Sequence, residues 1–290
     1  MRPDVMPFHH AQTGTWTYVV ADPARGAAAI VDPVLDYDWR SGRTGTRSAE
    51  AVAAHCESRR LDVQWILETH AHADHLSAAQ FLKTRLGGRV AIGAGIRAVQ
   101  ATFSRVFGLG PDFATDGSQF DRLLADGEEL ALGSLSLRVI AVPGHTNDSV
   151  AYLAGDALFV GDTVFMPDSG SARCDFPGGD ARALYQSVHR LYALPAETRV
   201  FVCHDYSPGG REARCETTIA EQKASNIHLR DGVGEDEYVA MRTARDATLD
   251  VPNLLIPSIQ VNIRAGSLPP ADADGVRYLR VPLDVLGRPA

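Results

Sequence analysis

An apolar run, Val63-Gln64-Trp65-Ile66-Leu67, stops abruptly, and His70, His72, Asp74 and His75 follow within eight residues. Four metal-ligand side chains in six residues have no packing rationale in a turn between a strand and a helix. In extended chain, side chains at i and i+2 point the same way. His70, His72 and Asp74 are therefore expected to face one point as the strand gives out, with Asp74 and His75 at the start of a helix. Neutral imidazoles with carboxylates suit Zn, Fe or Mn alike.

Three further segments end β-rich runs in a residue of the same kind: "VPGHT" (His145), "FVGDT" (Asp162) and "FVCHD" (His204). One histidine after a strand is usually structural or solvated, and His9, His10, His55, His189 and His228 are read that way. The other three gain weight jointly, because α/β proteins gather sites from strand ends distant in sequence.

The rest of the chain is read as strands alternating with helices. "TWTYVVAD" and "GAAAIVDP" are early strands, "DWRSGRTGTRS" a loop, and a helix runs from about Ala49 to Arg59 with Ser48 as its N-cap. "HLSAAQFLKTRLGG" is a helix closed by Gly87-Gly88. Two hairpins follow, the second turning at Gly155-Asp156. "DARALYQSVHRLYAL" is a helix, another is expected from Arg211, and a third over Glu235–Ala247. Two blocks of this kind suggest stacked sheets covered by helices, an α/β fold.

Composition narrows the function. A formal net charge of −8 argues against a broad basic face for nucleic acid, so an anionic substrate must be met by local arginines. No apolar run approaches the ~18–20 residues of a membrane span. Four scattered cysteines fit neither a disulfide framework nor a CxxC zinc site, and with no secretory or transit pattern the expected setting is cytoplasmic.

HxHxDH at His70–His75, then Gly144-His145, Gly161-Asp162 and His204-Asp205, resembles the metallo-β-lactamase superfamily. That resemblance implies an αββα four-layer sandwich over residues 1–265, with its metal site at one edge between the sheets. Residues 266–290 are then a C-terminal tail, packed on the domain or serving as an arm in a homodimer. In relatives of the glyoxalase II type, residues matching His70, His72 and His145 hold one metal. Those matching Asp74, His75 and His204 hold a second, and the match of Asp162 bridges them, for hydrolysis of glutathione thioesters.

"GDTVFMPDSGSARCDFPGGDA" and "CHDYSPGGREARCETTIAEQKASNIH" are similar to the persulfide dioxygenases, in particular the bacterial group near the β-lactamase-hydrolase-like proteins. That implies one Fe(II) per chain on His70, His145 and Asp162, with His72, Asp74, His75 and His204 around it. The alternative is two Zn or Fe. The implied substrates are glutathione persulfide and O2, and the products sulfite and glutathione. With no sulfurtransferase domain attached, persulfide is expected from a separate upstream enzyme or as a free small molecule.

For the tripeptide's carboxylates Arg173 is the first candidate, with Asp175 for the amino group. Arg211 and Arg214 follow, at a helix start that an anion would complete or that Glu212 and Glu216 simply compensate. Tyr206 is expected to donate to the bound sulfur or to pack. Cys174 is read as a small packing residue, and Ala265 stands where animal relatives carry a cysteine.

Overall fold

The computed structural model describes residues 2–287. In chain order the first half carries β1 (Asp4–His10), β2 (Thr15–Ala21), β3 (Ala27–Val31), β4 (Val34–Asp38), β5 (Arg43–Gly45), α1 (Arg47–Ser58), β6 (Asp62–Leu67), β7 (Leu76–Ser77), α2 (Ala79–Leu86), β8 (Arg89–Gly93), α3 (Ile96–Val106) and β9 (Arg122–Leu124). The second carries β10 (Glu129–Leu132), β11 (Leu135–Ala141), β12 (Val150–Ala154), β13 (Ala157–Phe159), α4 (Ala181–Tyr192), β14 (Arg199–Phe201), β15 (Glu216–Thr218), α5 (Ile219–Ser225), α6 (Glu235–Asp246) and α7 (Leu255–Asn262).

Strands of the first half form a six-stranded sheet in the order β1-β2-β3-β6-β8-β9. Those of the second form another, β10-β11-β12-β13-β14-β15. Alternation along each strand sends side chains to both faces of its sheet. Tyr18, Val20, Trp65 and Leu67 meet Leu137, Val139, Tyr152 and Phe159 between the sheets. The opposite faces pack against helices: Val19, Ile30 and Ile66 against α1, α2, α3 and α7, and Ala151, Leu158 and Val200 against α4, α5 and α6. Helix, sheet, sheet, helix is the αββα sandwich expected from the sequence.

Several local expectations give way. The segment read as a loop at 38–48 contains β5, which pairs with β4. Thr46, not Ser48, sits at the N-cap of α1; Ser48 instead bonds the Asp36 carboxylate through its amide (2.9 Å) and hydroxyl (2.7 Å). No helix starts at Asp74 or His75, since α2 opens only at Ala79. No helix starts at Arg211 either. One 3-10 turn (Pro208–Gly210) ends there and Arg211 is extended, because Gly209 and Gly210 are left-handed at φ 69° and 78°. The tail lies on the domain at Arg280, which pairs through its backbone with the Gln260 side chain and reaches the Gly108 carbonyl. Residues 288–290 of the tail lie outside the described range.

Candidate metal centre

Five chain segments deliver the site to one edge of the sandwich. The chain leaves β6 into the loop 68–75, which distant groups hold open. The Asp32 carboxylate, at the end of the neighbouring β3, accepts from the Thr69 amide (2.7 Å) and hydroxyl (2.9 Å). Asp148 accepts from the Ala71 amide at 2.8 Å. The Asn262 side chain donates to the carbonyls of His72 (2.7 Å) and His75 (2.8 Å). Those two carbonyls are thus satisfied without a helix, which is why the loop does not coil. His145 follows β11, Asp162 follows β13, and His204 follows β14, stapled by an isolated bridge to Thr15.

Asp162 stands at the centre. Its Oδ2 is 3.9 Å from His70 Nε2 and 3.8 Å from His145 Nε2; its Oδ1 is 3.2 Å from His204 Nε2. Asp74 Oδ2 is 3.1 Å from the same His204 nitrogen. One ligand atom from each of His70, His145 and Asp162 falls within 4.8 Å of the others, as do those of Asp74, Asp162 and His204.

The imidazoles share one signature. One ring nitrogen is held by protein: His70 Nδ1 by Thr69 Oγ1 (3.1 Å), His72 Nε2 by Asp32 Oδ1 (2.9 Å), His75 Nδ1 by the Leu76 carbonyl (3.3 Å), His145 Nδ1 by the Arg173 carbonyl (2.7 Å), and His204 Nδ1 by Thr15 Oγ1 (3.3 Å). The opposite nitrogens of His70, His72, His75 and His204 are buried without a hydrogen-bond partner, as are Asp74 Oδ2 and Asp162 Oδ1. Buried polar atoms left unpaired are costly, and a ligating histidine characteristically has its other nitrogen fixed this way. The residues fit bound metal, and the cluster is a metal-binding site.

Burial holds the imidazoles neutral: it pushes His75, His145 and His204 down to about 4 and His70 and His72 well below their usual value. Burial, then the neighbouring Asp74 and Asp32, pushes the Asp162 carboxyl well up. Metal requires both groups deprotonated. Protons therefore compete with metal for the carboxyls, and affinity is expected to fall as pH drops. Metal titrations across a pH series check this, and an affinity that does not weaken toward acid would contradict it.

Gly144 places His145. Its φ is 141°, and a Cβ there would sit 2.3 Å from the Leu184 amide nitrogen, against the backbone of α4. Gly144→Ala is expected to cost about 1–3 kcal/mol by overpacking and to loosen metal. Thermal unfolding with metal analysis checks it, and an unchanged protein refutes the close-approach argument.

A cavity of about 290 Å3 opens onto His145, Asp162 and Asp74, walled by Phe165, Arg173, Phe176, Tyr206, Arg245 and Leu249. Arg173 and Tyr206 both line this cavity. The Arg173 guanidinium is already engaged: Nε and Nη2 donate to Asp175 at 2.6 and 2.7 Å, and Nη1 to the Asp250 carbonyl at 2.7 Å. Arg211 is clamped between Asp168 (2.6 and 2.7 Å) and buried Asp205 (2.5 and 2.9 Å). Arg214 gives its amide to Asp205 and points towards Glu221. Neither Arg211 nor Arg214 lines the cavity, and the expected helix N-terminus for an anion is absent. Cys174 is buried, and burial pushes its thiol up to about 12, consistent with packing. Sequence reasoning missed Arg245, Asn262 and Asp32. Asp32 alone carried a signal, since it ends a strand as the ligands do.

Sandwich and cluster together define an α/β metalloprotein with its centre at the sheet edge. Residues 11–204 match the metallo-beta-lactamase superfamily, to which the chain belongs. It is 53% identical to a probable metallo-hydrolase of Burkholderia pseudomallei, over 96% of this chain and 98% of that one. It is 51% identical to a beta-lactamase hydrolase-like protein of Xylella fastidiosa, over 98% of this chain but spanning 65% of that longer protein. Two more distant relatives carry different activities in their names: a hydroxyacylglutathione hydrolase of Methylococcus capsulatus (34% identical; 85% of this chain, 80% of that one) and the human mitochondrial persulfide dioxygenase ETHE1 (27%; 87% and 84%). The crystal structure of ETHE1 from Myxococcus xanthus superposes with a TM-score of 0.73 at 28% identity, covering 91% of this chain and all of that one. Among the described residues no helix is long and apolar enough to cross a membrane.

Proposed function

We propose that this chain is a persulfide dioxygenase, oxidising glutathione persulfide with O2 at one Fe(II). One persulfide, one O2 and one water give glutathione and sulfurous acid, which ionises to sulfite. The supporting observation is which ligands the cavity meets. It reaches two of the three proposed iron ligands, His145 and Asp162, with Asp74 beside them, while His70, His72, His75 and His204 lie buried behind. Iron held by His70, His145 and Asp162 would supply redox chemistry between the persulfide sulfur and dioxygen. Phe165 and Phe176 line the approach with apolar rings, and the Arg173 carbonyl fixes the His145 ring through Nδ1. Tyr206 presents its phenol to the cavity, as a donor to the terminal sulfur. Arg173, at the cavity wall, offers positive charge to a carboxylate of the tripeptide, while its partner Asp175 lies outside that wall. Four free thiols suit a reducing cytoplasm.

A second reading, hydrolysis of a glutathione thioester by two metals, is favoured by the Asp74–Asp162–His204 group and by the hydroxyacylglutathione hydrolase relative. The test is oxygen uptake and sulfite formation with glutathione persulfide on anaerobically iron-loaded protein, beside cleavage of lactoylglutathione. Thioester cleavage with no oxygen uptake overturns the first reading. Arg173→Ala is expected to raise KM for the persulfide about tenfold, one charged hydrogen bond's worth, with metal content unchanged; loss of metal would show that its side chain serves the centre.

A further inference from the structure

A chain of side-chain hydrogen bonds runs from the cluster to the surface, through residues that neither reading above uses. His204 Nδ1 lies 3.3 Å from Thr15 Oγ1, which lies 2.7 Å from Thr13 Oγ1. Thr13 Oγ1 is in turn 2.7 Å from His10 Nδ1, and His10 Nε2 faces Asp36 Oδ1 at 3.5 Å. Main-chain bonds hold the inner end in place. The turn between β1 and β2, left-handed at Gly14 (φ 70°), receives the Asp205 amide on the Gly14 carbonyl at 3.1 Å. The Trp16 amide donates to the Cys203 carbonyl at 2.7 Å. At the outer end, Asp36 is fixed by the amide and hydroxyl of Ser48. His204 and Thr15 are fully buried, whereas His10 and Asp36 line a surface groove with His9, Arg47 and Ser48.

We propose that His10 and Asp36 are positioning residues that place the ring proton of His204 through Thr13 and Thr15. Once metal takes Nε2, the nitrogen facing Asp74 and Asp162, the hydrogen count permits one order. Nδ1 then carries the proton of the neutral ring and donates it to Thr15 Oγ1. Each hydroxyl has one hydrogen to give, so Thr15 donates to Thr13, and Thr13 to His10 Nδ1. His10 accepts there only as a neutral ring, with its own proton on Nε2 toward the Asp36 carboxylate. Asp36 is the anchor, because an ionised carboxylate is the one member that only accepts. A partner on the far nitrogen makes a ligating imidazole more basic, and here that partner is ordered from the surface. The charged and titratable groups around His10 are Asp36 from β4, Arg47 from α1 and His9 beside it on β1. Burial holds His10 below its usual value, against the pull of Asp36, so the ring is neutral near neutral pH. In acid a proton on Nδ1 turns that nitrogen from acceptor to donor and breaks the order. The proposal goes beyond the persulfide reading: it needs only metal at His204 Nε2, whichever reaction follows.

The test is nitrogen-15 NMR of histidine-labelled, zinc-saturated full-length protein, read without substrate. The expected result is a proton on His204 Nδ1 that exchanges slowly with water, at a resonance that moves as His10 titrates. Thr13→Val and His10→Leu should speed that exchange about tenfold, one hydrogen bond's worth, and remove the pH-linked movement. His10→Asn supplies an oxygen that accepts where Nδ1 did, so it should restore slow exchange while leaving the resonance indifferent to pH. Thr13→Ser should behave as wild type. A His204 ring unprotonated at Nδ1, or a His204 signal alike in wild type, Thr13→Val and His10→Leu, overturns the proposal. Should the ring proton exchange too fast to follow, zinc affinity decides. It is expected to be about tenfold weaker in Thr13→Val and recovered in Thr13→Ser, and equal affinities overturn the proposal. Absence of oxygen uptake with persulfide leaves this signal in place, and absence of the signal leaves oxygen uptake in place.

Discussion

Replacing Asp162 with alanine is expected to remove turnover, with a fall in kcat/KM on the order of 10³-fold or more. A bound metal contributes several kcal/mol to such chemistry, and each ~1.4 kcal/mol is a factor of ten. Asp162 is the one side chain facing both groups, Oδ2 toward His70 and His145 and Oδ1 toward His204. The same variant makes an opposite prediction for the metal-free protein. There Asp162 is a buried carboxyl beside Asp74 and Asp32, raised by burial and by both neighbours. Its removal relieves repulsion, so metal-free Asp162→Ala is expected to be no less stable than metal-free wild type. The stabilisation that added metal gives the wild type should shrink in the variant. Calorimetric melts with and without metal separate the two effects. A variant that melts lower in the metal-free state and gains normally from metal would contradict the assignment.

Much of this centre was legible because the ligands obey one rule: each ends a strand. Apolar runs mark β3, β6, β11, β13 and β14, and shortly after each run stops a ligand or its supporter appears. Asp32 obeys the rule as well as His145 does, but an aspartate before a proline reads as a turn when no partner is in view. Other features depended on groups far off in sequence. The loop 68–75 looks like a helix start until Asn262, 187 and 190 residues from the carbonyls it caps, takes its place. Arg211 looks like a free cation until Asp168 and Asp205 close on it. Local propensity fixes neither, since both are decided by tertiary partners. Arg245 was missed for a related reason: on sequence it is one more polar residue of an amphipathic helix, and only the packing of α6 brings it to the cavity wall.

That packing includes a buried ion pair, and breaking it should give a large stability loss away from the metal. Arg242 Nη2 lies 2.6 Å from Asp246 Oδ1, with the two side chains 2% and 6% exposed. Arg242 Nη1 also donates to the Ser171 carbonyl (3.1 Å), and Asp246 Oδ2 accepts from the Cys174 amide (2.8 Å). The pair therefore pins the strip 171–174 to α6, and the Arg173 carbonyl within that strip is what orients His145. Asp246→Ala strands a buried guanidinium and an amide together, for an expected loss of about 3–5 kcal/mol. The double variant Arg242→Met/Asp246→Leu removes both charges, so it should recover most of that loss. What it cannot recover is the Cys174 amide and the Ser171 carbonyl, worth about 1–3 kcal/mol for each group left unpaired. Denaturant midpoints of the two single variants and the double close the cycle. Metal affinity should stay reduced, about 10–100-fold, even where stability returns, because the His145 support remains loose. A double variant that regained full metal affinity would show that α6 holds up the fold but not the centre.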